Sequence, residues 1–161
     1  MFFPEMICKR NEMNEELKSA GDHAWRYFEL HAQQRMTVFN FYIAITGLLA
    51  AGVGFSMQQG GKYVYLSSVI GLFIVFISFI FWKLDERVSM LIKSGEAGLE
   101  IFEKELSIKE CRIVKNDSDN NLMNNGVQSV WSYGRCFRLA FLIVGVSGLV
   151  LCILPVLIFC L

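Results

Sequence analysis

The chain has 161 residues, 54% of them hydrophobic, with 14 Phe and 15 basic residues balancing 15 acidic ones. A soluble domain of this size sits near about 45–50% apolar, so the excess needs a place. A net charge of zero with no basic face gives no support to direct nucleic-acid binding. Five cysteines that form no CxxC pair, far from both histidines, give none to a zinc site.

Residues 1–36 read as a cytoplasmic helix. From Asn11 onward, Met13, Leu17, Ala20, Ala24, Phe28 and His31 recur at three- and four-residue spacing and make one face. No breaker separates this segment from the apolar run that follows, so one continuous helix should project from the membrane.

The excess hydrophobicity lies in three runs free of Lys, Arg, Asp, Glu and His: Met36–Gly61 (26 residues), Tyr63–Trp82 (20) and Leu139–Leu161 (23). A bilayer core about 30 Å thick needs about 20 apolar residues in a helix. All three runs are long enough. The first begins too far into the chain and is too long for a secretory signal. Residues 37–82 therefore form a transmembrane hairpin, closed by the short turn Gln58-Gln59-Gly60-Gly61-Lys62. In the first span Ala44, Gly47, Ala51 and Gly54 form a small-residue stripe, the kind of face that lets helices approach closely. Its partner is either another span of the same chain or a second subunit, and Gly145 and Gly148 of the last span are placed to face the same groove.

Residues 83–115 continue the second span as a cytoplasmic helix. Leu84, Val88, Leu91, Leu99, Phe102 and Leu106 carry the apolar stripe, with Gly95 at one of its positions; the charged residues Asp85, Glu86, Lys93, Glu96, Glu100, Glu103 and Lys104 lie between. Such a seam wants a helical partner. The simplest is the N-terminal helix, through Leu17, Phe28 and His31 meeting Leu91, Leu99 and Phe102; the alternative is the same helix of another subunit. Gly95 and Gly98 either permit close approach or mark a kink. Residues 116–137 read as a loop and an interfacial segment, since NDSDNNLMNNG is rich in turn formers. Its Asp117-x-Asp119-x-Asn121 start imitates a calcium loop, but Leu122 stands where glycine is needed and Gln128 where the bidentate glutamate belongs. Residues 138–161 form the third span. The fold class is thus all-α: an integral membrane protein with three transmembrane helices and two juxtamembrane cytoplasmic helices.

Basic residues set the direction. Five precede the first span, one lies in the hairpin turn, nine lie between the second and third spans and none follows the third. The N-terminus is then cytoplasmic and the C-terminus outside. No charge sits within the runs, which weakens a transporter reading. No catalytic, cofactor or metal constellation is apparent, so no enzymatic activity and no cofactor are expected. His23 and His31 read as helix-surface or interface residues.

The order of parts resembles the SLATT-type and related small multi-span effectors of bacterial conflict systems. The likeness covers residues 11–110 and rests on His31, Ala32 and Arg35 running into FNFYIAITGLLAAG. It implies a non-enzymatic inner-membrane effector that oligomerises and perturbs the bilayer in anti-phage abortive infection. Its partners would be lipid, further copies of itself and a regulator such as a retron reverse transcriptase or a nucleotide-signalling enzyme. The third span departs from that pattern. A structural or adaptor subunit of a larger membrane complex is the alternative.

Overall fold

The computed structural model describes residues 3–105, 112–123 and 131–160. Among them every regular element is helical: α1 (Phe3–Gln59), a 3-10 turn (Gly61–Tyr63), α2 (Val64–Glu105), α3 (Ile113–Met123) and α4 (Tyr133–Cys160). Three of these, α1, α2 and α4, are long and apolar enough to cross a membrane. The chain divides into two compact units. One comprises residues 1–33 and 90–130, the other residues 34–89 and 131–161. As the absence of a breaker predicts, α1 and α2 are each unbroken.

In the first unit the N-terminal part of α1 packs on the C-terminal part of α2. A Cβ added at Gly95 would lie 3.1 Å from the Phe28 Cβ, one at Gly98 3.3 Å from the Ala24 Cβ, and one at Gly21 2.9 Å from the Phe102 ring. The pairing is therefore intramolecular, and the glycines of α2 serve close approach rather than a kink. That contact offsets the cost of about 1 kcal/mol that each imposes on helix propensity. Leu99 is buried, and Leu17, Phe28, His31, Leu91 and Phe102 are half-buried. The His31 ring stands edge-on to Tyr27 at 4.4 Å.

The segment expected to be a loop from residue 116 is instead helical as far as Met123. The reason is tertiary. Glu103, buried on α2, accepts the backbone N–H groups of Val114 (3.0 Å) and Lys115 (3.2 Å), which are unpaired donors in the first turn of α3. Arg112 returns the favour by donating to the Lys104 carbonyl at 3.2 Å, near the end of α2. A remote carboxylate thus supplies the cap that overrides the turn-forming composition. Glu103→Ala should remove about 0.5–2 kcal/mol of local stability. Amide hydrogen exchange would show faster exchange at Val114 and Lys115 with the middle of α2 unchanged.

The second unit holds the three apolar segments. Gly60 (φ 65°) and Gly61 (φ 56°) turn the chain between α1 and α2 in a left-handed conformation that other residues resist. The core is aromatic: Tyr42, Phe137 and Phe141, with Phe39, Ile77, Phe81, Trp82 and Val144 against it. Phe39 and Phe137 stack at 4.1 Å, and Phe141 meets Tyr42 edge-on at 4.7 Å. The outward side chains are as apolar as the inward ones, with Leu48 76% exposed and Phe55, Phe76 and Phe79 also bare. The buried positions, by contrast, include Thr46, Ser56, Ser67 and Ser78. Monomeric water-soluble proteins rarely expose contiguous apolar surface on this scale. The last helix begins at Tyr133, five positions before the expected boundary at 138.

Candidate functional site

The unit of three apolar segments contains one feature that its hydropathy did not announce. Arg35 on α1 donates through Nε to one carboxylate oxygen of Asp85 on α2 at 2.7 Å and through Nη2 to the other at 3.0 Å. The two side chains are 12% and 3% exposed. The guanidinium lies over the Phe137 ring of α4, its carbon 5.3 Å from the ring centre. A Cβ at Gly134 of α4 would stand 2.9 Å from Arg35 Nη2, so glycine at that position leaves room for the arginine. Three helices converge on one guanidinium.

The geometry is the strong form of an ion pair: bidentate and shielded from solvent. Its consequence is asymmetric. Replacing both charges by apolar groups is often neutral, whereas removing one partner strands the other and costs about 3–5 kcal/mol. The neighbouring pair shows the contrast. Lys83 donates to Glu86 at 2.8 Å with both side chains in the open. The lysine's hydrogen bond and charge hold the Glu86 carboxyl below its ordinary range, but solvent screening leaves such a pair little weight.

Further along the same interior, Tyr42 and Ser78 share a hydrogen bond at 2.9 Å across α1 and α2. Thr46 donates to the Tyr42 carbonyl at 2.7 Å, Ser56 to Val53 at 3.0 Å and Ser67 to Val64 at 2.6 Å. Each hydroxyl is satisfied on its own helix backbone or by its neighbour. The result is a buried hydroxyl-bearing seam that the ion pair ends.

Asp85 was expected among the charged positions between stripe residues, facing away from the seam; it is buried instead. Arg35 was expected only as a flanking charge and as part of the resemblance. A signal existed. Arg35 and Asp85 are equidistant from Gly60, as are Tyr42 and Ser78. An antiparallel hairpin turning there brings such positions level.

The small-residue stripe is not used within the chain. Ala44, Gly47, Ala51 and Gly54 are all exposed, and a Cβ at Gly47 or Gly54 would meet nothing within 4 Å. Only their neighbour Gly52 faces α2, at Ile70. Gly145 and Gly148 do not share a groove with the stripe. They pack on α2, at Ser78 and at Gly71 and Ile74 respectively. Among the described residues no three of His, Cys, Asp and Glu gather as a metal site would require. Asp117 and Asp119 lie within α3.

Fold and site together define an all-helical protein with three helices of membrane-crossing length and apolarity, tied together at a buried ion pair. The chain is 59% identical over 143 residues to CD-NTase-associated protein 19 of Escherichia coli, an alignment spanning 89% of this chain and 95% of that protein. It belongs to the family of that protein. No protein-family profile matches the chain, and no solved structure does.

Proposed function

We propose that the chain is a three-span inner-membrane protein acting as a non-enzymatic effector of nucleotide-signalling anti-phage defence. It would work beside a CD-NTase, assemble with further copies of itself and perturb the membrane in abortive infection. The observation that carries this reading is the near full-length likeness to a CD-NTase-associated protein. The three long apolar helices, bare on their outer faces and hydroxyl-bearing inside, support the membrane as its place of action. The relative's name favours a nucleotide-signalling enzyme over a reverse transcriptase as the regulator. The distribution of basic residues supports a cytoplasmic N-terminus and an external C-terminus.

The uncovered stripe supplies a face for assembly. Gly47→Leu combined with Ala51→Leu should leave insertion intact, because hydrophobicity rises and both positions are exposed. In cells carrying the companion CD-NTase, the wild type should lower plaque counts and the double variant should lose that protection at equal membrane abundance. Full protection by the double variant would remove the stripe from the account. If the wild type inserts and gives no protection with its companion, the chain is an adaptor rather than an effector.

A further inference from the structure

We infer that the Arg35–Asp85 pair is a releasable latch that holds the three apolar segments closed, so that its separation is the step that makes the protein active on the membrane. This rests on the effector reading above and names its control point.

Arg35 is held by Asp85 of α2 through two hydrogen bonds, by the Phe137 ring of α4 and by the space left at Gly134. Separating α1 from α2 breaks both hydrogen bonds, and moving α4 uncovers the guanidinium. The Lys83–Glu86 pair, by contrast, stays within α2. The Arg35–Asp85 pair also stands at the end of the seam formed by Tyr42, Ser78, Thr46, Ser67 and Ser56.

A buried ion pair is a poor device for stability alone, since apolar groups of similar volume do as well or better. What it adds is a difference between closed and open states. Closed, each charge has its partner. Open, each charge needs water, which is at hand because Arg35 and Asp85 stand just outside the charge-free runs, at the membrane boundary. Opening at this pair therefore brings water to the end of a hydroxyl-bearing seam. Two leucines at these positions would favour closure and would give the open state nothing to hydrate.

Three variants of the full-length chain read this out, with membrane potential followed by a dye and membrane abundance by immunoblot. Asp85→Asn leaves Arg35 without its counter-charge and should shift the balance toward the open state roughly 100-fold, depolarising cells with no trigger. The exchange Arg35→Asp with Asp85→Arg restores opposite charges and should be quieter than Asp85→Asn. Arg35→Met with Asp85→Leu should accumulate normally yet fail to depolarise when the companion CD-NTase is active and phage is added. A purely structural pair predicts the opposite for that last variant: folded and fully triggerable. If Met/Leu responds like the wild type, the latch is wrong while the effector reading stands, and quiet Asp85→Asn at wild-type abundance has the same meaning. If Asp85→Asn does not accumulate, the Met/Leu result decides alone. If triggered wild type itself never depolarises cells, the effector reading fails and takes the latch with it.

Discussion

Gly71→Leu is expected to detach α4 from α2 and to be among the most damaging single changes in the apolar unit. A Cβ at this position would lie 2.7 Å from the Cys152 nitrogen, 2.8 Å from the Gly148 oxygen and 3.0 Å from the Leu151 carbonyl carbon. All three are backbone atoms, so no side chain can move aside; the helices must separate. Gly148 meets the same crossing from the other side, with its own Cβ position 3.0 Å from the Gly71 oxygen. Pro155, buried within α4, lacks the N–H that would bond the Leu151 carbonyl, which loosens the backbone at the contact. Overpacking typically costs about 1–3 kcal/mol and occasionally more, and a backbone-to-backbone crossing belongs at the upper end. Gly47→Leu makes the same chemical change on a face with no neighbour and should be near neutral in the isolated chain. Thermal aggregation of the two variants in detergent checks the contrast. Equal midpoints would mean that α4 does not cross α2 at Gly71.

The second large effect is expected in the paired helices. Leu99 is 7% exposed, on the α2 face whose Gly98 meets Ala24. Leu99→Asp buries a carboxylate with no cation provided for it, at a cost of about 3–5 kcal/mol. Ile101, two positions on and 64% exposed, offers the control, since Ile101→Asp places the same charge in the open. Limited proteolysis of membranes should cut residues 15–33 and 90–104 rapidly in the Leu99 variant and at the wild-type rate in the Ile101 variant. Equal protection in both would mean that the Leu99 face is not packed.

These two sites also show what the sequence makes legible and where it stops. The hairpin, its glycine turn and the three apolar segments follow from charge-free length alone, because the absence of ionisable groups is a property of single residues. Periodicity placed Leu99 and Phe102 on one stripe that wants a helical partner, but left open whether α1 or a second subunit supplies it. Contacts between segments distant in the chain are harder. Gly145 and Gly148 carry no mark that assigns them to α2 rather than α1; the assignment depends on how the third segment packs. Asp85 was concealed by its company, since a carboxylate amid Lys83, Glu86 and Arg87 has the composition of a solvated face. Only the hairpin register, with Arg35 opposite, distinguishes it. The helix at Ile113–Met123 depends on a carboxylate ten positions before its start, beyond the reach of local propensity.

If the protein acts on the membrane itself in response to nucleotide signalling, infection should collapse the membrane potential. The direct test is the membrane potential of cells carrying the chain with the CD-NTase proposed as its companion, recorded through phage infection. Depolarisation should precede lysis and should require both the wild-type chain and a catalytically competent CD-NTase. A potential held until phage-driven lysis, in cells that are nonetheless protected, would contradict action on the membrane itself.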